Sequence, residues 1–356
     1  MISLETGICR LFKIDYPIVQ AGMAGGPTTV ELVAEVSNAG GLGTLGAAYM
    51  APDALRQAIK EIRCATQKPF GVNIFAAPAQ DDFRRLAEVQ KTLSPFRSQL
   101  GIREIQASYQ SPDWSAEQFN ICIEEGVSIV STAFGCLSAP QMKAAKERQV
   151  KIVAMVTTVA EAKQAEASGV DALVAQGSEA GGHRSTFSLD QHPAGAQIGT
   201  LSLVPQVVDA VGIPVIAAGG IVDGRGLVAS LALGAQGVQI GTRFVSSTES
   251  GVHSAYKQAV FKSDEESTVV TKSFSGRPAR GIKNRFIQEF EQTGINPLPF
   301  PSQNTITKDI RAAAAKANNP EFMSLWAGQS TRSLKEEVAA AEIVRTIIEE
   351  AKGILS

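Results

Sequence analysis

At 356 residues the chain is long enough for one large single-domain barrel or for two medium domains, and 44% hydrophobic residues suffice for a sizeable core. Its 33 basic and 35 acidic side chains, a formal charge of -2, give no general attraction to nucleic acid or to an anionic membrane, and leave a small neutral or anionic substrate open. Residues 1–15 lack a secretory pattern and no later apolar run approaches ~20 residues, so a cytoplasmic protein is expected.

In chain order, β-rich runs alternate with stretches of helical period. PIVQAGM (17–23) precedes a helix carrying Val30, Val33 and Val36 on one face, with Gly40 at its C-terminal cap. LGTLGAA (42–48) precedes a helix with Pro52 in its first turn. Further strands are expected at 69–75, 127–135, 151–156, 171–177, 213–220 and 237–244. Nearly continuous apolar strands in βα units favour a closed parallel (β/α)8 barrel over an open doubly wound sheet.

Within this pattern Gly41, Gly43 and Gly46 spell G-x-G-x-x-G, a dinucleotide fingerprint, but they follow a helix and lie in the second strand, so the context opposes a Rossmann site. These glycines read instead as a strand thinned of side chains beside a bound ligand. Residues 76–112 have their own helical period and read as an insertion after the third strand. The expected organisation is a barrel over 1–245 with that insertion, a lid-like substrate region over 246–332, and a C-terminal helix over 333–356 packing back on the barrel. Cys9, Cys64, Cys122 and Cys136 show no C-x-x-C pairing, so buried free thiols are expected and neither a disulfide framework nor a metal site.

Chemistry in such a barrel collects at the C-terminal strand ends, with phosphate commonly held by the last two βα loops. AAGGIVDGRG offers the backbone of Gly219 and Gly220 ahead of a helix, and QIGTRF offers Gly241 and the Thr242 hydroxyl; turn glycines without a ligand are the competing reading. VAQGSEAGGHRS closes the sixth barrel strand with Gln176, an amide able to donate and accept toward a heterocycle edge. His183 follows Gly177, Gly181 and Gly182 on a loop over the mouth, where an imidazole suits proton transfer near neutral pH; a structural histidine is the alternative. His192 and His253 have no such setting. Asn73 is a buried amide near the barrel end, and Gly22, Met23 and Ala24 could face a planar ring or simply pack in the core. Arg277, Arg280, Lys283 and Arg285 read by default as a solvated basic loop, the alternative being a hold on an anionic substrate or a nicotinamide phosphate.

Taken together, QAGMAGG, GGLGTLGAA, GVNIF, QGSEAGGH, IPVIAAGGIVDGRG and VQIGTRF, with SGRPARGIKN and LWAGQ, make the chain resemble the nitronate monooxygenases (2-nitropropane dioxygenases). The resemblance implies an FMN-dependent TIM barrel. It implies FMN contacts at Gly22, Met23, Ala24, Asn73, Gln176, Gly181, Gly219 and Gly220, and at Gln239, Ile240, Gly241 and Thr242, with His183 as catalytic base. It further implies oxidation of alkyl nitronates, or of nitroalkanes, by O2 to a carbonyl product and nitrite through a one-electron-reduced flavin, a detoxifying chemistry. More distantly, the EAGGH-type loop resembles NAD(P)H-dependent flavin enoyl-ACP reductases, and a non-catalytic FMN-binding redox sensor is a further alternative.

Overall fold

The computed structural model describes residues 2–76, 80–103 and 108–356; parts of the expected insertion, 77–79 and 104–107, lie outside them. Strands β1 (Ile18–Gln20), β2 (Gly43–Gly46), β3 (Phe70–Phe75), β4 (Ile129–Ala133), β5 (Lys151–Val156) and β6 (Ala172–Gln176) fall within the apolar runs of the sequence. After a short β7 (Gly182–His183) come β8 (Val215–Ala218) and β9 (Gly237–Ile240), then β10 (Thr268–Thr271) and β11 (Ala279–Ile282). The parallel sheet runs β1-β9-β8-β6-β5-β4-β3-β2. A parallel bridge Val19↔Leu42 closes it, with Gln20 N–H donating to the Leu42 carbonyl at 2.9 Å. The result is an eight-stranded α/β barrel of the TIM type.

Alternation along the strands sorts the side chains. Val19, Leu42, Ile129, Val153, Val174 and Ile216 fill the interior, plugged by Ile8 and Phe12 of the helix Gly7–Phe12. The opposite faces of the strands meet the helices in one large apolar cluster that includes Val33, Val36, Leu55, Ile59 and Ile62. The Thr29 hydroxyl caps Val30–Asn38 by accepting from Leu32 N–H, and Asp223 caps Gly224–Ala232 in the same way from Arg225 and Gly226.

The glycines of GGLGTLG serve the chain's own packing. A Cβ at Gly43 would lie 2.0 Å from the Val33 carbonyl oxygen, and one at Gly46 would lie 2.4 Å from the Met23 carbonyl carbon. The thinned strand therefore admits a helix and the segment after β1, rather than a ligand. The last helix spans Ala340–Leu355, beginning later than the sequence pattern suggests, where Ala340 N–H finds the Glu249 carboxylate at 2.9 Å. Its Ile343, Val344, Ile347 and Ile348 join the barrel's apolar cluster.

A second apolar cluster unites the helix Leu86–Gln99 with residues from the segment after β9, joining Val89, Leu93 and Phe96 to Phe274, Phe286, Phe290 and Phe322. Buried Arg97 fastens the two, donating to Asp309 Oδ2 at 2.6 Å and to the Ile306 carbonyl at 2.8 Å. The thiols differ from expectation at Cys64, which is exposed, and at half-buried Cys136; all four are free. No helix among the described residues is long and apolar enough to cross a membrane.

Candidate active site

The sequence expects a free loop at His183 and a solvated loop at 275–285. Instead the two pair with each other. β11 lies between β10 and β7 in an antiparallel sheet, with Ala279 opposite His183 and Arg280 opposite Gly182. The basic run is split by this pairing. Arg277 and Arg280 are buried, whereas Lys283 and Arg285 are exposed.

His183 is mounted from several sides. The Gln176 amide donates to the His183 carbonyl at 3.0 Å and accepts from Ser185 N–H at 2.9 Å, so much of its capacity is spent on this segment and not on a ligand edge. Arg184, fully buried, donates to the carbonyls of Gly177 and Gln176 at 2.7 and 2.8 Å and latches the loop to the end of β6. Glu161 accepts from Thr157 N–H, the Thr157 hydroxyl and Phe187 N–H, fixing the far end. The imidazole Nε2 then meets Ser275 Oγ at 2.9 Å.

Around it stand Phe134, Phe300 and Trp326, with ring centroids 6.0, 6.1 and 5.4 Å from the imidazole. Phe75, at the end of β3, lies tilted against Phe134 with ring centroids 4.6 Å apart and meets Tyr49 edge-on. Burial, and then the positive fields of Arg277 and Arg311, lower the His183 pKa to about 3. Arg277 donates to the carbonyls of Arg184 and Thr186, and Arg311 to that of Asn304. Neither guanidinium forms an ion pair among the described residues. Burial lowers both of their pKa values, that of Arg277 to about 10 with Glu161 opposing the shift. Cations held this way invite an anion.

The other expected residues gather at the same rim. Gly22 packs so closely that a Cβ there would lie 2.5 Å from Asn73 Cβ, which accounts for this glycine without a ligand. Asn73 Nδ2 donates to Ser131 Oγ at 2.9 Å, while its Oδ1 and the side chain of Gln239 find no partner among the described residues. The buried Thr44 hydroxyl nearby is also without one. Met23 touches both apolar clusters, Ala24 is half-buried, and the Ile240 side chain points into the barrel–helix core, leaving only its backbone for the rim.

At the other end of the rim, Gly219 and Gly220 follow β8 with φ of 122° and 72°. A Cβ on Gly219 would lie 2.6 Å from Thr200 Oγ1, so this glycine answers first to the chain itself. The AGQS segment folds across these loops: Gly328 N–H donates to Thr242 Oγ1 at 3.0 Å and Ser330 Oγ to the Gly220 carbonyl at 2.7 Å. A Cβ on Gly181 would collide with Ala327 and Gly328 at 2.6 Å. Gly241, with nearest neighbours 3.7 and 3.8 Å from such a Cβ, keeps open space, and the short helix Thr242–Val245 starts beside it.

Sequence reasoning overlooked Ser275, Phe75, Phe134, Phe300, Trp326 and Arg311. The aromatic pair could have been found, because Phe75 ends one barrel strand and Phe134 immediately follows another. His192 and His253 lie apart; the latter caps Ser254–Lys262 through Nδ1, which accepts from Ala255 N–H at 3.1 Å.

Comparison with known proteins gives concordant likenesses. The sequence model of the family described as Nitronate monooxygenase matches residues 6–350. A probable nitronate monooxygenase from Staphylococcus saprophyticus is 42% identical over 357 residues, covering 100% of each chain. The solved nitroalkane oxidase from Streptomyces ansochromogenes superposes with a TM-score of 0.89 at 36% identity, covering 98% of this chain and 99% of that one. FabK from Thermotoga maritima superposes with a TM-score of 0.76 at 33% identity, covering 99% and 98%.

Proposed function

The chain belongs to the nitronate monooxygenase family, and from that premise we propose that it binds FMN at the barrel rim and oxidises alkyl nitronates with O2, His183 serving as the base toward neutral nitroalkanes. The residues fit the cofactor. Asn73 Oδ1 and Gln239 are polar groups in an apolar barrel mouth that a heterocycle edge would satisfy. Gly219, Gly220, Gly241 and the helix start at Thr242 suit the phosphate. Bound FMN would supply electron acceptance from the nitronate and delivery to O2.

The single observation that carries this reading is a neutral imidazole set between cations that have no ion-pair partner among the described residues. A nitronate brings the missing negative charge to Arg277 and Arg311, and Phe134, Phe300 and Trp326 exclude water around it. In the tautomer in which the Ser275 hydroxyl donates to the Arg277 carbonyl at 3.1 Å, Nε2 donates to Ser275 and Nδ1 is left to accept a proton. As the α-proton leaves a nitroalkane, charge develops on the nitro oxygens. That charge offsets the arginine fields and raises the affinity of Nδ1 for the proton at the moment of transfer. Ser275, Arg277, Phe300, Arg311 and Trp326 all come from the segment after β9, which supports its role as the substrate-side cover. Nitrite release from ethyl nitronate in air by the flavin-loaded protein tests the reading; a folded, yellow protein that releases none would refute it.

A second reading, reduction of an enoyl thioester by NAD(P)H, draws on the likeness to FabK. The higher superposition on the nitroalkane oxidase favours the first.

A further inference from the structure

Phe134 has φ of 70°, a left-handed backbone that a bulky side chain adopts only under strain. The other non-glycine residues with positive φ among those described, Lys13, Gln149 and Asn318, each follow the end of a helix, where such a conformation terminates the turn. Phe134 instead follows β4 at the functional rim, and the next residue, Gly135, also has positive φ. Its backbone is held there by hydrogen bonds: Phe134 N–H donates to Ser185 Oγ at 3.2 Å and Thr132 Oγ1 to the Gly135 carbonyl at 2.9 Å. Glycine would occupy this place without strain, so the ring is what the strain retains. That ring lies tilted against Phe75, stands edge-on to His183 and Phe300, and carries the Arg277 guanidinium 3.8 Å from its centroid.

We propose that Phe134 is the specificity-determining wall of the cleft, its strained backbone aiming a ring that limits the alkyl chain behind a flat anionic head group to a short one. The nitronate is such a head group, so the catalytic form of the statement rests on the function proposed above; a carboxylate is another. Arg277 ties the two features together, since the guanidinium that attracts the head group also stacks on the wall. Removing the ring opens apolar space bounded by Phe75 and Phe300, which a longer chain would fill.

The test compares wild type with Phe134→Gly, which drops ring and strain, and Phe134→Ala, which drops the ring alone. Thermal melting and flavin absorbance verify that each is folded and loaded. The ratio of kcat/KM for hexyl nitronate over ethyl nitronate should rise roughly tenfold or more in both variants. In parallel, binding of hexanoate and acetate is followed by protein fluorescence, and preference for hexanoate should rise in both. An unchanged preference, a rise confined to one variant, or no carboxylate binding by wild type overturns the proposal. Failure of wild type to oxidise either nitronate would refute the proposed activity instead, with the carboxylate series still deciding the role of Phe134.

Discussion

The His183 imidazole reaches the Ser275 hydroxyl at 2.9 Å, joining two segments separated by 92 residues in the chain. The antiparallel pairing of Ala279 with His183 brings them together. The imidazole proposed above as the base is thus held jointly by the loop after β6 and the segment after the barrel.

His183→Asn should retain flavin but slow oxidation of a neutral nitroalkane by about 10²–10⁴-fold, the usual worth of a positioned base. Substrate supplied as the nitronate needs no proton removed and should lose less than tenfold by the same reasoning. Steady-state nitrite release on both forms checks this, and equal losses would remove His183 from the base role.

Ser275→Ala removes one neutral hydrogen bond from the imidazole, about 1 kcal/mol, and should lower nitroalkane kcat by up to about tenfold. The nitronate rate should hardly move. Ser275→Thr should restore most of the loss; rescue failing while the nitronate rate also collapses would mark Ser275 as merely structural.

The low pKa of His183 has a consequence for stability. In the folded protein the imidazole stays neutral down to about pH 3, whereas in an unfolded chain it protonates near its ordinary value of ~6.5. Below that value the unfolded state binds more protons, so this group makes stability fall as pH falls. Between pH 7 and pH 5 the loss should approach ~2 kcal/mol, and His183→Asn should not show it. Urea unfolding of the flavin-free proteins at both pH values measures the difference; identical pH dependence would mean that His183 titrates normally.

Gly241→Ala should leave the flavin-free melting temperature nearly unchanged, because its added Cβ meets nothing closer than 3.7 Å. It should nevertheless weaken FMN retention. Gly219→Ala differs, since its Cβ would lie 2.6 Å from Thr200 Oγ1 and the backbone is left-handed; the fold itself should suffer. Equilibrium dialysis of FMN beside thermal melting separates the two, and unimpaired FMN binding by Gly241→Ala would put the phosphate elsewhere.

The barrel strands were legible because each is a compact apolar run buried on both faces, as KIVAMV shows by matching β5 from end to end. β7 was not, because two residues carry no period, and its pairing with β11 is a tertiary event. The arginines misled for a related reason: SGRPARGIK reads as solvated until carbonyls of distant segments accept from Arg277 and Arg280. TVVT at β10 does carry the β-branched signal of a strand. Glycine spacing picked out residues that the fold gathers at one rim, yet Gly22, Gly181 and Gly219 are explained by close packing of the chain on itself, which spacing alone does not distinguish from room for a ligand.

The most direct test of the central claim is anaerobic mixing of the flavin-loaded protein with propionate 3-nitronate and, separately, with NADH, followed by absorbance. Rapid loss of the oxidised flavin band is expected with the nitronate. Rapid reduction by NADH alone, with the nitronate inert, would contradict it and move the protein to enoyl reduction.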